Sequence, residues 1–205
     1  MNAHTQRRSI AGPSGPLECA IDAPSGTPRG LAVVCHPHPQ HGGTMDNKVV
    51  QTLARAFTQL GCTALRFNFR GVGASAGRWA EGPGEIDDAM AVIDAQRAGA
   101  QALVLAGFSF GGYVAAQAAS RLAAAGTPAD RLVLVAPAAS RFEMAPVPAG
   151  TLVIHGESDD VVPLAAVFDW ARPLSLPVTV IPGAGHFFHG QLPLLKSLVV
   201  GAWPR

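Results

Sequence analysis

The pentapeptide Gly107-Phe108-Ser109-Phe110-Gly111 follows the apolar run Ala102 to Ala106 and precedes a long alanine-rich segment. That order reads as strand, one-residue elbow, helix. An elbow of this kind forces its serine into a strained backbone conformation, so small neighbours are needed on both sides. Gly107 and Gly111 supply them, and Gly112 lets the following helix lie close to the sheet. Ser109 is thereby a candidate nucleophile, but a serine hydroxyl is weak and needs a base.

The pattern alone does not select Ser109, because Gly73-Ala74-Ser75-Ala76-Gly77 matches it too. Ser75 lies several residues beyond its strand and is followed by Gly, Trp, Gly and Pro, with no helix to complete an elbow. Ser75 reads as part of a glycine-rich loop.

Strand and helix signals alternate along the chain. Leu17 to Ile21 reads as a strand, paired antiparallel with Arg8 to Ala11. Leu31 to Cys35 is a buried strand that ends in His36-Pro-His-Pro-Gln-His-Gly-Gly43. Val49, Val50, Leu53, Phe57 and Leu60 give Asn47 to Leu60 a helical stripe, closed by Gly61. Cys62 to Phe67 is the next strand, followed by the glycine-rich stretch Arg70 to Gly84. Ile86, Met90 and Ile93 mark a second helix, with Asp87 and Asp88 in its favourable first turn. After the elbow, Phe110 to about Ala125 is helical until Gly126 and Pro128 stop it. Arg131–Val135, Thr151–Ile154 and Pro177–Ile181 read as strands, and Pro163–Ala171 and Gln191–Val200 as helices.

This alternation calls for an α/β fold: three layers, a mostly parallel twisted sheet with helices on both faces. Right-handed crossovers bring every loop that follows a parallel strand to the carboxyl edge of the sheet. His36, Arg70, Ser109, Asp159 and His186 all lie in such loops. With 205 residues and no long linker, one domain over 1–205 is expected.

Composition narrows the partners. Net charge is +1 with no basic run, which speaks against nucleic acid and anionic membrane. No segment approaches the roughly 18 apolar residues of a membrane helix. The polar start, Met1 to Ser9, leads into no signal-like apolar stretch. Cys19, Cys35 and Cys62 are scattered and odd in number, so buried free thiols are expected, in a cytoplasmic setting.

A base for Ser109 must be brought in by the fold. His186, in Gly183-Ala-Gly-His186-Phe-Phe-His189, follows the last strand. His189 is the local rival, further from the strand end, so His186 is favoured. The imidazole in turn needs a carboxylate. Glu157, Asp159 and Asp160 share the turn between a strand and Pro163, and spacing does not choose between Asp159 and Asp160. His155 ends a strand and reads as structural; His4 reads as solvent-exposed.

With these residues in hand, the chain resembles the small α/β-hydrolase fold serine hydrolases that lack a lid, from about residue 17 onward. It is similar to bacterial hydrolases of undefined substrate that carry His36-Pro-His-Pro, Gly-Gly-Thr-Met, Asn47-Lys48-Val-Val and Arg66-Phe-Asn-Phe-Arg-Gly71. The chain order Ser, Asp, His is theirs. The resemblance implies Asp159 as the acid, from Gly-x-x-Asp-x-x-Val-Pro, and esterase-like acyl transfer through a serine ester without a cofactor. It implies an oxyanion hole of the backbone N–H of Phe110 and one from the loop after Leu31–Cys35. Pro37 stands where relatives have glycine, so His38 becomes the first available amide and Gln40 the second. Dienelactone hydrolases share much of the scaffold but use cysteine where this chain has Ser109.

Competing readings are weaker. His36, His38 and His41 invite zinc, but two prolines restrict the loop and no acid is near in sequence, so no metal is expected. Gly71-Val-Gly73-Ala-Ser-Ala76 matches a dinucleotide fingerprint but opens onto a loop. Arg70 is expected to brace the His36 loop. Ala138 to Gly150, with Pro146 and Pro148, is too short for a cap domain. An open cleft rimmed by Phe108, Phe110, Phe142, Met144 and Phe187 is expected, suited to small or short-chain esters or thioesters. A peptidase or amidase on the same triad, or a binding module without catalysis, are the alternatives.

Overall fold

The central strands of this chain are apolar on both faces because a layer of helices meets each face. The computed structural model describes residues 5–97 and 102–203, which leaves His4 outside. The strands are β1 (Gln6–Gly12), β2 (Gly15–Asp22), β3 (Gly30–Cys35), β4 (Cys62–Phe67), β5 (Ala102–Phe108), β6 (Arg131–Val135), β7 (Leu152–Gly156) and β8 (Val178–Ile181). They form one sheet in the order β1-β2-β4-β3-β5-β6-β7-β8. β1 and β2 are an antiparallel hairpin, and β2 joins β4 antiparallel; every other pair is parallel.

The helices are α1 (Lys48–Gln59), α2 (Pro83–Gln96), α3 (Phe110–Ala124), α4 (Leu164–Ala171) and α5 (Leu192–Gly201). Alternation along the central strands feeds two cores. Leu31, Val33, Leu103 and Leu105 pack with Ile86, Ile93, Val114 and Val167 on the side of α2, α3 and α4. Ala32, Val34, Val104, Ala106 and Phe108 pack with Leu53, Phe57, Leu195 and Val199 on the side of α1 and α5. Asn47 caps α1 by accepting the Val49 N–H at 2.9 Å. The expected elements are thus present, with ends shifted by one or two residues.

Helix α2 starts earlier than its apolar pattern indicates. Gly82 and Gly84, read as loop, belong to its beginning, with Pro83 at the first helical position. The first-turn acid is therefore Glu85, which accepts the N–H groups of Ala80 and Gly82. Asp88 lies a turn further on, fully buried. It accepts the Arg70 backbone N–H at 2.9 Å and the guanidinium at 2.7 Å. Arg70 thus anchors its own loop to α2, and does not brace the His36 loop as expected.

Bracing of the His36 loop comes from elsewhere. The buried His36 ring accepts the Phe69 N–H at Nε2 (3.0 Å), which leaves Nδ1 to donate to the Pro37 carbonyl (2.6 Å). Arg66, nearly fully buried, bonds Asp22, the Met45 carbonyl and Asp46. Asn68 accepts the Met45 N–H at 2.8 Å. The Arg66-Phe-Asn-Phe-Arg sequence therefore serves to fix the loops around it. Ser75 does the same: its hydroxyl accepts the Glu18 N–H and donates to the Asn68 carbonyl.

Breaking a buried ion pair strands the surviving charge. Replacing Asp88 with Ala should cost about 3–5 kcal/mol in urea unfolding; a loss below about 1 kcal/mol would show that Arg70 does not depend on it.

Candidate active site

Ser109 sits between the last residue of β5 and the first of α3 at φ +57° and ψ −120°, a left-handed conformation that side chains rarely adopt. Its N–H donates to the Val135 carbonyl at the end of β6 (3.0 Å), and its carbonyl accepts from Gly112 (2.9 Å) and Ala138 (3.2 Å). A side chain at Gly107 would strike the Gly111 carbonyl, and one at Gly111 would strike the Cys35 carbonyl of β3. Gly112 faces Pro137 beyond β6. The close approach to the sheet is therefore made by Gly111 more than by Gly112.

Two loops converge on this elbow. His186, after β8, places Nε2 3.0 Å from Ser109 Oγ. Its Nδ1 lies 2.7 Å from Asp159 Oδ2, in the loop after β7. Oδ1 of Asp159 accepts the N–H groups of Val161 (2.9 Å) and Val162 (2.7 Å). Asp160 is exposed on the same turn and points to no such partner, so the structure separates the two acids that spacing left equal. His189 is exposed, and Glu157 is exposed and accepts the Gly183 N–H.

Burial of Asp159 pushes its carboxyl pKa up, but the bond from His186 and the two backbone N–H groups outweigh it. The net displacement is below the ordinary carboxylate value. His155 is fully buried beneath it and donates from Nε2 to the Val162 carbonyl at 2.9 Å, with Asp159 Oδ2 3.5 Å away. Burial lowers the His155 pKa, so the ring is neutral. Burial likewise lowers His36, to about 3. With both His36 nitrogens committed to backbone groups, that ring is no ligand for a metal shared with His38 and His41.

Beside Ser109 opens a cleft of about 340 Å³ lined by Pro37, His38, His41, Gly42, Gly43, Asn47, Arg141, Val161, His186 and Phe187. Four aromatic or apolar rim residues expected from sequence are elsewhere. Phe108 is fully buried under the His186 ring, with centroids 4.9 Å apart. Phe110 is fully buried among His38, Trp79, Phe69 and Phe142. Phe142 and Met144 are half-buried against the α2–α3 core and do not line the cleft. Phe187, exposed, does line it. Arg141 carried no motif or periodic signal, and Val161 stood only at an unspecified position of the Gly-x-x-Asp-x-x-Val-Pro motif. His41, Gly42, Gly43 and Asn47 lay within quoted motifs, without an assigned place in the cleft.

Between β6 and β7, residues 136–151 contain no helix, so nothing helical covers the cleft from that connection. The match to known proteins agrees. Residues 26–148 match the family described as serine aminopeptidase, S33. A Xanthomonas campestris structure, described as an α/β serine hydrolase without lid, is 40% identical, with 98% of this chain and 94% of that one covered and a TM-score of 0.88. An α/β serine hydrolase homologue from Coxiella burnetii is 41% identical over 97% of each chain, TM-score 0.82. An uncharacterized protein of Rickettsia prowazekii is 32% identical, covering 86% of this chain and 79% of its own. The chain belongs to this family of α/β serine hydrolases, in its lidless form.

Because the folded Asp159 carboxyl titrates below its ordinary value near 3.8, the stability it contributes is full above that value. It is lost as pH falls through the lower folded-state value. Asp159→Asn should therefore be less stable than wild type by about 1–3 kcal/mol at neutral pH, and the gap should close below about pH 4. Urea unfolding from pH 3 to 7 checks this; a gap that widens on acidification contradicts it.

Proposed function

We propose that the protein hydrolyses small or short-chain carboxylic esters or thioesters through Ser109, His186 and Asp159. The observation that carries this reading is the unbroken hydrogen-bonded chain from Ser109 Oγ through both nitrogens of His186 to Asp159. Asp159 holds the proton on Nδ1, which leaves Nε2 free to accept the hydroxyl proton as Oγ attacks the carbonyl carbon. The same proton then goes to the leaving alcohol or thiol. Water, deprotonated by His186, attacks the serine ester, and Oγ regains its proton as the acid departs.

The oxyanion that forms at each attack needs donors aimed at it. Among the described residues, no backbone carbonyl takes the N–H of Phe110 or of His38. Phe110 opens α3, where N–H groups have no partner within the helix. His38 lines the cleft. These two amides are the proposed oxyanion hole. The absence of a helix between β6 and β7 and the modest cleft volume favour short acyl groups. All three cysteines are buried and free, which suits the cytoplasmic setting that completes this proposal.

The family's description as a serine aminopeptidase gives amide cleavage on the same three residues a claim as well. Matched p-nitrophenyl esters and amino-acid p-nitroanilides, assayed side by side, separate the two. Ester turnover should dominate and decline from butyrate to palmitate. Ser109→Ala should abolish fluorophosphonate labelling and lower ester turnover by at least about a thousandfold. Labelling that survives the substitution would overturn the assignment of Ser109.

A further inference from the structure

The cleft beside Ser109 holds one permanently charged side chain, Arg141, and no Asp or Glu lines it. Among the described residues, Arg7, Arg66, Arg70, Arg121 and Arg172 each meet a carboxylate, whereas other surface arginines such as Arg8, Arg55 and Arg97 bond only neutral groups. No ion pair among the described residues takes Arg141. A surface arginine without a partner is ordinary, but this one is carried on a fixed turn at the reacting serine. Ala138 donates its N–H to the Ser109 carbonyl (3.2 Å), and the Ala138 carbonyl accepts the N–H groups of Arg141 and Phe142 (3.1 Å each). Phe142 is stacked on Tyr113 with centroids 4.8 Å apart and packs edge-on against Phe110 at 5.1 Å. The turn is therefore pinned both to the elbow and to the aromatic cluster below it.

His38, which also lines the cleft, is a weak cationic candidate. Burial, the neighbouring His41 and the Arg141 charge all hold His38 below its ordinary pKa, so it is neutral near pH 7. His38 Nδ1 accepts the Gln40 N–H at 3.2 Å, which puts the ring proton on Nε2. The cleft thus offers a guanidinium fork, an imidazole N–H, and the exposed apolar side chains of Val161 and Phe187. A guanidinium's planar fork suits carboxylate or phosphate oxygens, and such bonds are stronger than neutral ones.

We infer that the substrate of this site carries an anionic group, carboxylate or phosphate, which Arg141 receives while the scissile carbonyl lies at Ser109. The inference rests on the acyl-transfer reading of Ser109 proposed above. It makes Arg141 a specificity-determining residue, and it turns a generic short-chain ester into an acidic one.

Three p-nitrophenyl esters test it: butyrate, hydrogen glutarate and 4-phosphonobutyrate. The wild type should favour at least one charged ester over butyrate by about tenfold in kcat/KM at low salt, and salt should erode the preference. The charged ester that is preferred identifies the anion. Arg141→Ala should bring the ratio to near one, and Arg141→Glu should invert it. A wild-type ratio at or below one, or a ratio that Arg141→Ala leaves intact, overturns the inference. A turnover-free arm separates it from the catalytic reading. Calorimetry on Ser109→Ala protein should show monomethyl glutarate binding that methyl butyrate lacks and that a second substitution, Arg141→Ala, removes. Equal binding of the two ligands overturns the anion site. Failed fluorophosphonate labelling with selective binding retained overturns only the catalytic role.

Discussion

The strained backbone at Ser109 is the constraint on which the rest of the structure depends. Its left-handed conformation persists only because neighbours on every side over-determine it. The N–H is held by the end of β6, the carbonyl by α3 and by the turn beyond β6. Gly107 and Gly111 touch each other's space, and Gly111 rests against the end of β3. One residue thereby ties three adjacent strands and a helix together at the carboxyl edge. Larger side chains at these glycines would separate the elements that hold the serine up.

Around that point, histidines in similar surroundings do unlike work. His36 is locked by an amide donor on one nitrogen and a carbonyl acceptor on the other, and burial keeps it neutral. His155 is also neutral and supports the turn that carries Asp159. Among the described histidines, only His186 has a hydroxyl on one side and a carboxylate on the other. The partner on each nitrogen, more than burial, distinguishes the proposed proton carrier from a brace.

Much of this was legible in the sequence, and the failures have physical causes. The central strands announce themselves because burial on both faces demands continuous apolar runs, and Asn47 and Gly61 mark the ends of α1. The start of α2 was hidden because Gly82 and Gly84 read as loop although Pro83 begins the helix. Aromatic residues beside the serine suggested a cleft lining. Yet Phe108 is two residues from Ala106 on a strand, and so points into the α1–α5 core with it. That parity was available in the sequence. The choice between Asp159 and Asp160 was not, since it depends on which carboxylate accepts the Val161 and Val162 amides. Arg141 lies in an irregular stretch whose position follows from hydrogen bonds and aromatic packing made only in the folded chain.

The strand order has a last consequence, at the two ends of the sheet. An open sheet leaves a row of unpaired amides and carbonyls along each outer strand, and these invite another chain to join. Here one outer strand, β1, runs Gln6-Arg7-Arg8-Ser9 with all four residues exposed. A copy approaching in register would bring Arg8 against Arg8, beside an Arg7 already engaged by Glu18 and Asp46. The other, β8, is only four residues long and is preceded by Pro177, which has no amide hydrogen to offer. Repulsion guards one border and brevity the other, so the sheet resists growing into a fibre through its ends.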